Sequence, residues 1–193
     1  MRQICAIKII SSNSFCMTLI LSVLISAYLL AGIIYFGFKK QGNNPLRHTI
    51  SELGEIGTPF TKPVRYGLFL PVGILLLGIT AFATSPSLQG LSACLGIGYA
   101  VAAFFPCDVG SPSIGSGRQQ IHNLGGAVEY AGGIYFILQS STPTLLWMDT
   151  KIVGYILMAC FVLISFQSPI RGGVQRIAEA ILFSSLIQLA AID

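Results

Sequence analysis

The residues able to do chemistry are few, and they gather at one end of the chain's apolar segments. Arg47-His48-Thr49-Ile50-Ser51-Glu52-Leu53-Gly54 is the densest polar stretch. Phe105-Pro106-Cys107-Asp108 closes one apolar run, and Ile121-His122-Asn123 opens the next, with Glu129 two turns deeper. Gln175-Arg176 and then Glu179 open the last run. His48, Asp108 and His122 come from three segments and could supply three ligands to a zinc ion, leaving a fourth position for water. Metal-bound water is a nucleophile near neutral pH. Glu52 or Glu129 could act as its base, and Ser51 could orient an oxyanion. That is the chemistry of a metal-dependent lipid hydrolase. No HxxxH or HExxH pair accompanies it.

Each of these residues also has a plainer reading. Thr49-x-x-Glu52 fits a capping box, with Ile50, Leu53 and Ile56 as the apolar face of a short interfacial helix near 49–56, ended by Gly54 or Gly57. Asp108 could cap its own loop, and His122 could bond to it as a structural clamp. His122, Gly126, Glu129 and Gly133 fall on one helical stripe. The glycines there admit a neighbouring helix and turn Glu129 toward protein. Arg176 is then the expected counter-ion of Glu129, with Glu179 competing at i+3. The glycine- and serine-rich stretch 110–118 could hold a phosphate through its amides and Arg118. It carries neither GxxxxGK[ST] nor GxSxG.

The elements that position these residues must lie in a membrane. Of 193 residues, 53% are hydrophobic and 9% charged, and the mean hydropathy is +0.76. Soluble domains carry about 25% charged residues. This composition excludes an ordinary soluble enzyme, a nucleic-acid-binding protein and a disordered tail. Lys39-Lys40 is the only basic run, so nucleic acid is not an expected partner. The five cysteines form no CxxC pair and read as small apolar residues.

A span needs about 20 mostly apolar residues. Six segments qualify, at about 15–38, 66–84, 88–106, 121–140, 145–166 and 174–192. The fifth is interrupted by Asp149 and Lys151. The first is too long for a signal-peptide core and ends in Lys39-Lys40, so it reads as a retained helix. The expectation is an all-α bundle of six transmembrane helices in one domain over residues 1–193. Both termini lie on one side. The opposite, loop-bearing face holds Lys39, Lys40, Arg47, Lys62, Arg65, Arg118, Arg171 and Arg176, against Arg2, Lys8 and Lys151 on the terminus side. The positive-inside rule then turns the loop face toward the cytoplasm of a cell membrane.

HTISELG from His48 to Gly54, FPCD from Phe105 to Asp108, His122 and Gln175-Arg176 together resemble a bacterial and archaeal multi-pass membrane family, domain of unknown function 998. The resemblance covers roughly residues 15–190. It implies a helical bundle with an uncharacterised role and supplies no chemistry. It also implies the opposite orientation, so both orientations stay open. The alkaline ceramidases are similar only in ingredients: His, Asp and Ser at one interface.

Three function classes remain. One is a membrane protein whose polar face binds a lipid headgroup or locks an assembly. Another is a lipid hydrolase using His48, Asp108 and His122, with zinc. The weakest is a small transporter with Glu129 and Arg176 on its path, because the terminus-side half is nearly all apolar. Membrane lipids are the expected partners.

Overall fold

Long apolar runs in a non-aqueous medium leave backbone N–H and C=O groups no water to bond, so each run closes its own hydrogen bonds as a helix. The computed structural model describes residues 2–140 and 149–193, with side chains from residue 16 onward. Among them are six long helices and no strand. We label them α1 (Arg2–Lys39), α2 (Thr61–Phe82, with a π turn at Arg65–Phe69), α3 (Pro86–Phe104), α4 (Gly117–Gln139), α5 (Thr150–Ser165) and α6 (Arg171–Ala190). Cys16–Lys39, Thr61–Phe82 and Pro86–Phe104 are long and apolar enough to cross a membrane, and α5 is a shorter apolar helix. The chain is a membrane-embedded helical protein.

Local chemistry sets the helix starts. The Ser85 hydroxyl accepts from the Leu88 amide ahead of Pro86, and the Ser116 hydroxyl accepts from the Gln119 amide. The Asp149 carboxylate accepts from the Lys151 amide. Side-chain oxygens thus take N–H groups that have no partner inside the helix. Proline at the first helical position costs nothing there, because its N–H would be unpaired anyway.

α2, α3 and α4 pack side by side, α5 and α6 follow, and α1 rests against α2 and α6. Leu68, Leu76, Leu91, Leu95, Leu182 and Leu186 fill the middle. Glycine permits the closest approaches. A Cβ on Gly73 would stand 2.9 Å from the Ala100 amide of α3. A Cβ on Gly133 would stand 2.4 Å from Leu182 of α6. Ile20, Leu24, Leu30, Ile34 and Phe38 face outward from α1, as lipid-facing side chains do.

Two expectations change. The interfacial helix expected near 49–56 is a single 3-10 turn, Ser51–Gly54. Glu55 turns extended and Gly57 takes φ +83°, so the chain leaves the helix after one turn. The helices also begin earlier than the apolar spans. α2 starts at Thr61, α4 at Gly117 and α6 at Arg171. Hydropathy marks only the apolar core of a helix, and these three helices begin with a polar turn ahead of it. Of the expected fifth span, residues 145–148 fall outside the described residues.

Gly172 is the tightest point of the loop face, since a Cβ there would lie 2.2 Å from the His48 carbonyl oxygen. Backbone cannot yield as a side chain can. Gly172→Ala is expected to destabilise by about 1–3 kcal/mol, the usual cost of overpacking. Gly67→Ala, where a Cβ meets nothing within 4 Å, is expected to be neutral or slightly stabilising. Thermal unfolding of both variants in detergent checks this.

Candidate functional site

The long α1–α2 loop is held by α6 from beneath. Arg176 Nη1 donates to the carbonyls of Pro45 (2.7 Å), His48 (2.8 Å) and Gly172 (2.9 Å). The Gly173 amide donates to Leu46 O at 2.9 Å, and Gln175 Oε1 accepts from the Ile50 amide at 2.7 Å. Inside the loop the expected capping box is present. Glu52 Oε1 accepts from the Thr49 amide (2.9 Å) and hydroxyl (3.0 Å), while the Thr49 hydroxyl accepts from the Glu52 amide (3.3 Å). Lys40 reaches the Glu55 carboxylate at 2.8 Å and also bonds the Glu52 carbonyl.

The α3–α4 loop locks to the first. The Ile56 amide donates to Cys107 O at 3.2 Å, and the Gly110 amide to Glu55 Oε2 at 2.8 Å. Asp108 accepts from the Ser116 amide (2.8 Å), the Ser116 hydroxyl (2.9 Å) and Arg118 Nη2 (2.7 Å). Arg118 Nε takes Pro106 O at 3.0 Å. Arg171, 7% exposed, donates from Nε to Ile164 O (2.7 Å) and from Nη1 to Ser111 O (2.6 Å).

Between these loops and helices α4, α5 and α6 lies a cavity of about 240 Å³. Its polar wall is Ser51, Ser111, His122, Tyr130, Arg171 and Gln175, and its apolar wall includes Gly126, Ala127 and Phe161. His122 Nδ1 is 2.8 Å from the Phe105 carbonyl. A carbonyl only accepts, so this partner assigns the proton to Nδ1 and leaves Nε2 a lone pair. Ser51 gives its carbonyl to the Cys107 thiol (3.3 Å), and its hydroxyl has no partner among the described residues. A second, larger cleft of about 560 Å³ separates α1 from α6. Leu29, Ile33, Phe183 and Ile187 line it, with Asn43, Arg176 and Glu179 at its polar end.

The residues expected to act together are divided among several jobs. His48 Nδ1 accepts from the Asn44 amide at 3.0 Å. Asp108 is held by Ser116 and Arg118, and His122 by Phe105. No three His, Cys, Asp or Glu side chains converge as a metal set among the described residues. The proposed zinc triad is therefore not assembled, and the Asp108–His122 clamp is replaced by Asp108–Arg118. Arg118 is committed to that pair and to Pro106, rather than to a free anion. Glu52 serves the capping box. Arg176 is not the counter-ion of Glu129: loop carbonyls occupy it, and Glu129 instead meets Glu179. Ser51 and His122 do share one cavity. Arg171 and Tyr130 were not singled out as site residues. A signal existed in the four-residue spacing of Arg171, Gln175 and Glu179 on one face of α6.

In the α3–α4 loop, Cys107 and Asp108 are both shifted from their ordinary values. Burial, and then the Glu55 and Glu52 carboxylates, push the Cys107 thiol up to about 12. At pH 8 it is a thiol and a poor nucleophile. Cys107 is expected to resist alkylation in detergent while exposed Cys16 reacts, as peptide mass spectrometry would show. Equal labelling would mean that the loop junction opens. The Ser116 amide, and then Arg118, hold the Asp108 carboxyl below the usual carboxylate range. Its folded value lies below its unfolded one, so its stabilisation is complete above normal carboxylate titration and fades as pH falls through the lowered value. Asp108→Asn is expected to melt earlier than wild type at neutral pH and to converge with it in acid.

No curated protein and no solved structure matches the chain. A family profile described as Protein of unknown function (DUF998) matches residues 23–192. That match takes in the long loop, both cavities and every polar contact described above, and the chain belongs to this family of proteins of unknown function.

Proposed function

We propose that this is a lipid-interacting membrane protein whose loop-face cavity receives the anionic headgroup of a membrane lipid. One observation carries the reading: Arg171 is buried and unpaired. Its guanidinium bonds two carbonyl oxygens, and Nη2 has no acceptor among the described residues. Lys40–Glu55 and Arg118–Asp108 are the ion pairs there, and Arg171 belongs to neither. Glu52 exerts a favourable field on it, but the Glu52 carboxylate is bonded by Thr49. A buried cation without an anion is costly, and an anion entering the cavity would remove that cost.

The surroundings suit a phosphate. Arg171 opens α6, where the helix dipole favours negative charge. The Ser51 hydroxyl can donate, and His122 Nε2 can accept from a headgroup hydroxyl. The volume of about 240 Å³ is smaller than ordinary drug-sized pockets. It fits a headgroup and not a whole lipid. A zinc hydrolase is not part of this reading, because its three expected ligands are bonded apart.

Native mass spectrometry of delipidated protein would test the proposal. The probes are a phosphoglycerol lipid, a phosphocholine lipid and inorganic phosphate. The expected result is preferential retention of the anionic lipid. Arg171→Gln should weaken it about tenfold or more, the worth of a charged hydrogen bond. Gly126→Leu, which would fill open space in the cavity wall, should weaken it similarly with the fold intact by circular dichroism. Equal retention of both lipids, or no effect of Gly126→Leu, would refute headgroup binding here. Phosphate binding alone would assign the site to a soluble anion.

A further inference from the structure

We infer that Glu129 on α4 and Glu179 on α6 form a proton-binding carboxyl pair inside the bundle, sharing one exchangeable proton that is reached through the α1–α6 cleft. This goes beyond headgroup binding and does not depend on it. Glu129 is 8% and Glu179 6% exposed, and their carboxyl groups lie within reach of each other. Two ionised carboxylates offer only acceptors. One proton between them removes the repulsion of two buried like charges and allows a hydrogen bond, as in other carboxyl dyads.

Among the described residues, the surroundings supply hydrogen bonds to one negative charge and no cation. Glu179 Oε1 accepts from the Tyr130 hydroxyl at 2.6 Å, and Oε2 from the Tyr99 hydroxyl at 2.8 Å. Glu129 Oε1 is buried with no partner among the described residues. The titratable groups around the pair are Tyr99 and Cys94 on α3 and Tyr130 on α4. Arg176, one turn before Glu179, is spent on the carbonyls of Pro45, His48 and Gly172. Phe161 of α5 stacks on Tyr130, and Phe69 of α2 meets the Tyr99 ring edge-on. Neither can neutralise a charge. On α3, Gly98 makes the space, since a Cβ there would stand 2.5 Å from Glu129 Oε2.

Position gives the proton a way in. Glu179 lines the α1–α6 cleft. Tyr130 lines the polar cavity beside Gln175, whose oxygen holds the Ile50 amide. The pair thus stands in the wall between the two spaces. Loss of its proton would set two like charges in contact across the α4–α6 seam.

Infrared spectroscopy of the full chain in lipid tests this directly. At neutral pH the wild type is expected to show the carbonyl stretch of a protonated carboxyl, shifted in D2O and absent from Glu129→Gln. A lipid-soluble carbodiimide, which adds only to protonated carboxyls, is expected to label Glu129 or Glu179, located by peptide mass spectrometry. Ala180→Trp, at an exposed position of the cleft wall, should slow labelling several-fold. The wild-type measurements stand even if Glu129→Gln misfolds. A wild type with neither the band nor the adduct at neutral pH would overturn the proton-binding pair. Labelling unaffected by a folded Ala180→Trp would overturn access through the cleft.

Discussion

A loop that folds back against a membrane-embedded bundle cannot leave its buried carbonyl and amide groups unbonded, and here the first two turns of α6 satisfy them. Arg176 takes three carbonyls, two from the loop and one from α6, Gln175 takes the Ile50 amide, and Arg171 takes Ser111 and Ile164. The bare backbone at Gly172 brings α6 within reach, because any side chain there would meet the His48 carbonyl. Everything else at this face follows. With the first loop pinned, Glu55 can receive Gly110, Cys107 can receive Ile56, and the two loops roof the polar cavity.

The basic residues of this face are spent in a way that a charge count does not reveal. Lys40 and Arg118 pair with acids. Arg65 instead binds the carbonyls of Ala103 and Phe104 at the end of α3, where the helix leaves acceptors unpaired. Arg171 and Arg176 likewise serve carbonyls. Arginine suits this because its fork reaches several acceptors at once and keeps its charge when buried. Residues counted as topological signals are therefore also structural, and Glu129 and Glu179 have no ion-pair partner among the described residues. The unpaired Arg171 and the paired carboxyls of Glu129 and Glu179 are two sides of that one arrangement.

Much of the candidate site was legible as a neighbourhood and little of it as a set of partners. The capping box of Thr49 and Glu52 was readable because both residues lie in one turn, where spacing alone fixes the contact. The convergence of His48, Asp108, His122 and Arg176 on one face followed from counting spans. Their partners did not. Asp108 had an acceptable mate in His122 and found a better one in Arg118, ten residues on. Glu129 had a plausible cation in Arg176, which lost to three backbone carbonyls. Tyr99 and Tyr130 sit in apolar helices, where nothing in their spacing marks them as the hydrogen-bond donors of Glu179.

Composition and periodicity by themselves determined that this chain is an all-helical membrane protein with its polar chemistry gathered at one end. Both follow from the hydrophobic run lengths and the scarcity of charge, which are local properties. Tertiary structure decided which polar group meets which, how the helices extend past their apolar cores, and where the two cavities lie. Those outcomes depend on competition among several acceptors for each donor. Only the packed arrangement of α4, α5 and α6 beneath the loops resolves it, because an unsatisfied buried group costs more than any single preferred pairing returns.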